Sequence, residues 1–313
     1  MGKDQMSISV LLGQILVIFL EIGAGYAAGK AKILTAKSGK TISSIVMSVT
    51  LPASMLAAAD LDEPGAVNLL LPTFGLLLAL YLITTVLTTL LARGQRLGMG
   101  KKAVLITLGV LPNSTFMGIP LAAALLGNGP GMVFGAAGVI AYNLLFFTYM
   151  TKLFDPATSF TPKSLATPAN LCTLAMVVML LLGVHFSGPP QQFLSAVGNC
   201  TTPLALMLVG LMLAQTELRS LFTVPFLYLI TLLRCFVFPL VFMLVLHFAH
   251  CPPLLAMGAI ILAACPCGSL GAVMAEQCGV EPKLASQAVA QSTLFSALSM
   301  PVVILLAQQF FVL

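Results

Sequence analysis

The sequence predicts an all-α membrane protein with ten transmembrane helices arranged as two inverted five-helix repeats. Three observations predict this class: an apolar composition, a series of long uncharged stretches, and a pattern that recurs halfway along the chain. Of the 313 residues, 59% are hydrophobic and 7% are charged, whereas a soluble domain has about 25% charged residues. So few charges do not cover the surface of a soluble protein, and we expect the chain to be surrounded by membrane lipid.

Ten apolar stretches are long enough to cross a bilayer, which takes roughly 20 residues per helix. They are continuous, which excludes a transmembrane barrel with alternating apolar and polar residues. The short connections exclude a soluble enzyme domain, and the net charge of +5 is too scattered for nucleic-acid binding. We expect a first repeat over 1–154, a cytoplasmic connecting loop over 155–166 and a second repeat over 167–313. The stretches are 8–29, 41–59, 68–92, 102–127, 131–154, 167–187, 191–214, 223–247, 253–277 and 284–312.

The basic residues predict the orientation of the chain. Twelve of the 14 Lys and Arg residues lie in, or within three residues of, the connections that follow odd-numbered stretches, beginning with four lysines between residues 30 and 40. The connection that holds Asp60, Asp62 and Glu63 has no basic residue, and the rest of that face has only Lys3. Because basic loops remain in the cytoplasm, we expect a multi-pass protein of the cell (plasma or inner) membrane with both termini on the non-cytoplasmic side.

Prolines recur at a nearly constant offset between the two halves of the chain. Each half contains five stretches, an odd number, so the second half enters the membrane from the opposite face. Inverted repeats of this kind are common in secondary transporters, where they support alternating access. The offset is 151 to 154 residues for three pairs: Pro52 with Pro203, Pro72 with Pro225, and Pro112 with Pro266.

Stretches 4 and 9 each have a helix-breaking sequence near the middle, LPNSTFMGIP over 111–120 and ACPCGSLG over 264–271. Proline interrupts a helix, so a new half-helix begins near the midplane with unpaired N–H groups and a partial positive charge. Two such ends arriving from opposite faces predict an anion site suited to a carboxylate. The alternative is a pair of proline kinks that only shape packing. The expected substrate-binding residues are Pro112, Asn113, Ser114, Pro266, Cys267, Gly268 and Ser269.

Three charged residues stand out in or near the apolar stretches, where charges usually mark function. Arg234 is expected either to attract the substrate anion or to be paired structurally, for example with Glu21. Glu21 is a candidate proton carrier, with a structural pair or a cytoplasm-facing carboxylate as the alternative. Glu276 is either a gate or a loop-facing charge. No metal or cofactor is expected, because Cys265 and Cys267 supply only two thiols and no His is close in sequence.

These segments resemble the auxin efflux carrier family, which includes plant PIN-type carriers and bacterial carriers of acids such as malonate and malate. This chain resembles a bacterial-type member, because it lacks the large cytoplasmic loop of many plant members. The similarity extends over nearly the whole chain. The most specific match is LPN with MGIPL in stretch 4, and further matches lie at residues 25–26, 51–53, 202–206, 275–277, 285–286 and 299–301.

The resemblance implies a PIN-like fold, similar to that of bile-acid symporters, in which helices 4 and 9 cross at their breaks. It implies a scaffold of helices 1, 2, 6 and 7 and a transport unit of helices 3–5 and 8–10 that slides as an elevator. It places carboxylate contact on Asn113 and suggests homodimers formed through the scaffold helices. The chain departs from the usual family pattern at Cys265 and Cys267.

The leading hypothesis is therefore a secondary active transporter, an efflux carrier of a small organic anion such as a mono- or dicarboxylate. An alternative is a Na⁺-coupled symporter of the bile-acid type, which needs acidic residues near the breaks that this sequence lacks. A membrane-embedded enzyme is the remote alternative. It is disfavoured because the stretches contain neither two Asp residues nor a His-Glu-x-x-His motif.

Overall fold

A computed structural model describes residues 8–57, 66–158, 166 and 168–311, and all regular elements in these ranges are helical. Lys3 and the acidic residues at 60, 62 and 63, which entered the prediction of orientation, lie outside the described residues. The helices are α1 (Ile8–Lys30), α2 (Ala36–Ala57), α3 (Leu70–Gly94), α4 (Met99–Val110), α5 (Ser114–Leu126), α6 (Gly129–Phe154), α7 (Pro168–Leu182), α8 (Pro189–Gln215), α9 (Leu218–Thr223), α10 (Pro225–Phe248), α11 (Pro253–Ala263), α12 (Ser269–Gln277) and α13 (Pro282–Phe310).

Six of these helices, α2, α3, α6, α8, α10 and α13, are long and apolar enough to cross a membrane, by length and composition. The prediction of an all-helical protein with several membrane spans is confirmed at this level. The helices α5 and α11 are apolar but shorter. They are short because predicted stretches 4 and 9 are each divided into two helices, α4 with α5 and α11 with α12. The count of ten spans stays a prediction.

Helices α1 and α8 cross very closely, and two glycines make this contact possible. A Cβ atom built on Gly25 would lie 2.0 Å from the Met207 carbonyl oxygen, and one on Gly210 would lie 1.9 Å from that of Ile22. No side chain fits at such distances, so the two backbones meet directly. Small residues at helix crossings are typical of membrane proteins, where packing replaces the hydrophobic effect between helices.

The remaining contacts arrange the helices in two sets. In the first set, α2 packs against α7 and α8, and α8 packs against α1. In the second set, α3 packs against α4 and α6, α5 packs against α6, and α13 packs against α10, α11 and α12. The sets meet where α1 and α8 contact α5 and α13. The half-helices α4 and α11 are the most deeply buried, with every residue from 103 to 110 and from 255 to 263 in the core.

A polar turn follows α6, at the start of the predicted connecting loop. The two carboxylate oxygens of Asp155 accept hydrogen bonds from the Ala157 N–H at 3.0 Å and from the Thr158 hydroxyl at 2.9 Å. A side chain that binds its own downstream backbone in this way competes with helix formation. The helix therefore ends at Phe154, as the sequence predicts.

Candidate functional site

The two broken helices meet at their breaks and pair through the backbone. The Asn113 N–H donates to the Pro266 carbonyl at 2.7 Å, and the Gly268 N–H donates to the Leu111 carbonyl at 2.9 Å. These two bonds form a single antiparallel bridge between Pro112 and Cys267. Each break thus satisfies polar backbone groups of the other, which is necessary for non-helical backbone deep inside a protein.

Asn113 marks the point where the helical path of the backbone is lost and regained. Its φ and ψ angles, −78° and 57°, lie outside the helical region. Its carbonyl oxygen then accepts from the N–H groups of Met117 and Gly118 at 3.1 and 3.2 Å. The wide first turn of α5 starts from this carbonyl. The Asn113 side chain does not cap α5 with a hydrogen bond. Gly268, which precedes α12, has no side chain that could cap that helix.

The half-helices that precede the two breaks, α4 and α11, have their carboxyl ends held by one buried cation. The guanidinium group of Arg234, on α10, donates to the Cys265 carbonyl at 3.1 Å, to the Val110 carbonyl at 2.5 Å, and to the Ala263 carbonyl. Arg234 is only 1% exposed. Because the carboxyl end of a helix carries a partial negative charge, this cation stabilises the ends of α4 and α11 together.

Arg234 does not pair with Glu21, which was one of the alternatives for it. All three of its hydrogen bonds go to backbone carbonyls, and the Glu21 Oε2 atom is buried without a hydrogen-bond partner in the described structure. Arg234 is also absent from the walls of the cavity at the crossing. Its position is behind the helix crossing, where it orients the backbone.

A cavity of about 80 Å³ lies at the amino ends of α5 and α12. We call it the crossover cavity. Its walls come from both breaks, from α2 and from α6, and no residue of the lining carries a formal charge. Five of the predicted substrate-binding residues line it, and Pro266 and Cys267 do not. The lining residues are Ser43, Met47, Leu51, Pro112, Asn113, Ser114, Thr115, Phe116, Val139, Tyr142, Asn143, Gly268, Ser269, Leu270 and Val273.

Asn113 lines this cavity and carries an unused donor. Asn113 is only 3% exposed, and its Nδ2 atom has no hydrogen-bond partner among the described residues. A buried donor left unpaired costs about 1–3 kcal/mol. The unpaired Asn113 donor therefore costs free energy unless a ligand or a water molecule accepts its hydrogen bond. The positive ends of α5 and α12 lie beside it, so the cavity favours an acceptor with negative charge.

Gly268 is required where the two breaks meet a tyrosine from α6. A Cβ atom on Gly268 would lie 2.8 Å from the Tyr142 hydroxyl oxygen and 3.1 Å from the Pro112 carbonyl oxygen. The sequence marks Gly268 as a site residue, but it gives no signal for Tyr142. Tyr142 reaches the crossover cavity only because α6 packs beside the break.

The other predicted residues lie around the crossing or away from it. Pro266 and Cys267 form the bridge itself, and the Cys267 N–H donates to the Ser292 hydroxyl at 3.1 Å. Glu276 is exposed near the end of α12. Glu21 lines a different cavity. Among the described residues, no three His, Cys, Asp or Glu side chains gather as a metal site.

The sequence model of a family described as membrane transport protein matches residues 10–170 and 163–304. The chain belongs to this family. The two matches cover nearly the whole chain, and the resemblance to auxin efflux carriers, which are members of the same family, is confirmed. No curated protein matches the chain at a significant level.

Membership in this family gives the general function of the protein. It is a membrane transport protein and not an enzyme. A transport protein of this family has a small-molecule substrate and is embedded in a membrane through several helices. These statements agree with the six long apolar helices of the structure.

Proposed function

We propose that the protein is a secondary active transporter that exports a small organic anion, a mono- or dicarboxylate, and holds its carboxylate group in the crossover cavity. The observation that carries the proposal is the buried, unpaired Nδ2 donor of Asn113 between two helix amino ends. A carboxylate accepts such a donor and is attracted by both helix dipoles. An organic cation lacks any partner of opposite charge in this lining.

The size and polarity of the crossover cavity support a small substrate. Its volume of about 80 Å³ is below the 300–1,000 Å³ typical of drug-sized ligands. The hydroxyl groups of Ser43, Ser114 and Ser269 and the amide of Asn113 offer several polar contacts. Binding by neutral donors and dipoles is strong enough to select an anion and weak enough to release it, which a carrier requires.

We propose further that the helices form two inverted five-helix repeats, the first over 1–154 and the second over 167–313, joined through 155–166. The proline offsets of 151 to 154 residues support this arrangement. The backbone bridge also supports it, because corresponding breaks, at Pro112 and Cys267, occupy equivalent places on the two sides of the crossing.

Alternating access then follows from sliding of one helix set against the other. The proposed scaffold consists of α1, α2, α7 and α8, and the proposed transport unit contains the remaining long helices and both breaks. Contacts within each set support this division. The crossover cavity lies at the boundary, with Ser43, Met47 and Leu51 contributed by the scaffold. An elevator motion of the transport unit would carry this cavity from one face to the other.

We also propose a cell (plasma or inner) membrane location with both termini outside the cytoplasm, and homodimers formed through the scaffold helices. The bias of basic residues toward one set of loops supports the orientation. Apolar side chains of α1 support the dimer, since Leu16 and Leu20 are 59% and 63% exposed on the outer side of the scaffold.

Transport of radiolabelled acids by purified protein in proteoliposomes tests the proposed function. We expect saturable flux of at least one acid from a panel of malonate, malate, citrate, acetate and indole-3-acetate. Liposomes without protein give the background. Flux that is indistinguishable from background for every acid, while an organic cation or a sugar is transported, would contradict the proposal.

A further inference from the structure

A second cavity of about 260 Å³ lies next to the crossover cavity, between the two helix sets. We call it the Glu21 cavity. Its walls come from α1, α2 and α8 on one side and from α5 and α6 on the other. Leu51 and Thr115 line both cavities, so a single layer of side chains separates them. Its polar lining residues are Glu21, Ser54, Thr115, Asn199, Thr201 and Thr202.

Two polar atoms of this cavity are buried and unpaired. The Oε2 atom of Glu21 and the Oγ1 atom of Thr201 have no hydrogen-bond partner among the described residues. Thr201 is only 5% exposed. None of the residues that line the cavity is basic. Glu21 as a whole is half-buried, and its carboxylate, when ionised, has no protein cation in the lining to neutralise it, which disfavours the charged form.

The helices around Glu21 hold few other titratable groups. Of the helices packed against α1, α5 has none, α8 has only Cys200, and α13 has only Lys283 in its first turn. On α1 itself, Lys30 lies 5.5 Å from the ring centre of Tyr26. The helices α2 and α6 also line the cavity, and their titratable residues are outside its lining: Lys37, Lys40, Tyr142, Tyr149 and Lys152.

The volume of the Glu21 cavity favours water over a caged metal ion. A water molecule takes about 30 Å³ in the liquid, so several fit beside the carboxylate. A Na⁺ ion needs a close shell of oxygen atoms, and so wide a cavity surrounds it poorly. Water delivers and removes protons readily. Cavity water is therefore the source from which the Glu21 carboxylate can take a proton.

The neighbouring anion gives this proton a role. A substrate carboxylate in the crossover cavity and an ionised Glu21 are like charges separated by one layer of side chains, and they repel in a medium of low dielectric constant. Anion binding therefore favours the protonated form of Glu21. By thermodynamic linkage, protonation of Glu21 favours anion binding to the same extent.

We propose that Glu21 is the coupling proton site of the transporter. Its carboxylate takes one proton from cavity water as the anion binds, which gives a neutral carboxylic acid, and it returns that proton to water after the anion leaves. Protonation also neutralises the Glu21 carboxylate, so no negative charge lies at the boundary between the helix sets when they slide. This inference rests on the proposed function, because it requires an anion in the crossover cavity.

Anion binding at two pH values tests the coupling. The probe is the radiolabelled acid that the wild-type protein binds most tightly among malonate, malate, citrate and indole-3-acetate. We expect wild-type affinity to fall by up to about tenfold per pH unit as pH rises. We expect Glu21→Gln, which mimics the protonated form, to bind tightly at both values. Glu217→Gln, which alters an exposed carboxylate, is the matched control and should follow the wild type.

Proton uptake provides a second measurement that does not depend on any variant. In weakly buffered detergent solution with a pH indicator dye, wild-type protein should take up about one proton per bound anion. Protons that the added acid itself takes up or releases are measured with the Glu21→Gln protein, and this value is subtracted from the wild-type value. Wild-type binding without proton uptake would overturn the coupling while leaving the proposed function intact, and so would full pH dependence in Glu21→Gln. A requirement for Na⁺, lost in Glu21→Gln, would overturn it in favour of a sodium site. Absence of binding by every acid would contradict the proposed function itself.

Discussion

Arg234 illustrates how one residue is used where two helices end inside a protein. Its guanidinium group has five N–H donors in a fixed plane, and three carbonyl groups from the ends of α4 and α11 accept from it. The charge opposes the negative ends of these half-helices, while the positive ends of α5 and α12 remain available at the cavity. The cation therefore contributes to the proposed anion site without touching it.

Removal of this cation should destabilise the fold. Arg234→Met leaves the carbonyls of Val110, Ala263 and Cys265 unpaired in the core, and we expect a loss of about 3 kcal/mol or more. Arg234→Lys should recover only part of this loss, because an ammonium group does not reach three carbonyls in one plane. Thermal unfolding with a thiol-reactive dye measures the change. Arg219→Met, at an exposed position, is the control, and an equal effect of both changes would contradict the assignment.

Gly268 allows a second test at the scale of a residue. The Cβ atom in Gly268→Ala would lie 2.8 Å from the Tyr142 hydroxyl oxygen and 3.1 Å from the Pro112 carbonyl oxygen, so Tyr142 must move in the wall of the crossover cavity and anion affinity should fall about tenfold. The double variant Gly268→Ala with Tyr142→Phe removes the closest contact and should restore part of the affinity. Equilibrium binding of the radiolabelled acid measures both. Full affinity in the single variant would contradict the close packing described for the breaks.

At the scale of an element, the α1–α8 crossing depends on direct contact between backbones. Gly25→Ala places a methyl group 2.0 Å from the Met207 carbonyl oxygen, so the helices must separate. We expect a large fall in thermal stability of the purified protein. The same helix supplies its own control, because a Cβ atom on Gly23 meets nothing within 4 Å. If Gly23→Ala lowers the thermal stability as much as Gly25→Ala does, the loss is caused by a change in helix propensity and not by a clash at the crossing.

The helices and their breaks were predictable because they depend on local chemistry. Apolar runs indicate helices in a membrane, and Pro112 and Pro266 end α4 and α11 because proline does not continue a helix. The bridge that joins the breaks was expected only from the family resemblance. The partners of Arg234 were not predicted. Its Val110 partner is 124 residues away along the chain, and such a contact depends on tertiary packing that no local pattern reveals.

The candidate site was predictable to a similar extent. Asn113, Ser114, Gly268 and Ser269 line the crossover cavity, because the breaks themselves form it, and their role in substrate binding stays a prediction. The sequence offered no reason to include Tyr142, since an aromatic residue in an apolar helix is usually part of the core. It gave Glu21 a candidate role but no location, because the Glu21 cavity forms between helices that are distant in sequence.

At the scale of the whole molecule, orientation follows from the distribution of charge. We expect the C-terminus to lie outside the cytoplasm, because basic residues concentrate in the loops of the other face. In bacterial cells, fusion of alkaline phosphatase to the C-terminus of the full chain should give an active enzyme, and fusion of green fluorescent protein should give little fluorescence. The opposite pair of signals would reverse the assigned orientation.

The arrangement of the cavities gives the two helix sets a common function. The crossover cavity and the Glu21 cavity both lie at the boundary between the sets, and each has walls from both sides. The proposed movement of one set past the other would therefore change access to the proposed anion site and the surroundings of Glu21 in a single step. This shared boundary is the physical basis for coupling in the proposed transport cycle.

The proposed anion site depends on a neutral amide between two helix ends that binds the substrate carboxylate. Uptake of the transported acid into proteoliposomes by Asn113→Asp tests this binding, because the change retains the shape of the side chain and adds a negative charge. We expect uptake to fall at least about tenfold, the size expected when a favourable hydrogen bond to a charged group is removed, with Asn68→Asp at an exposed position unaffected. Uptake by Asn113→Asp at the wild-type rate would show that this amide does not bind the carboxylate.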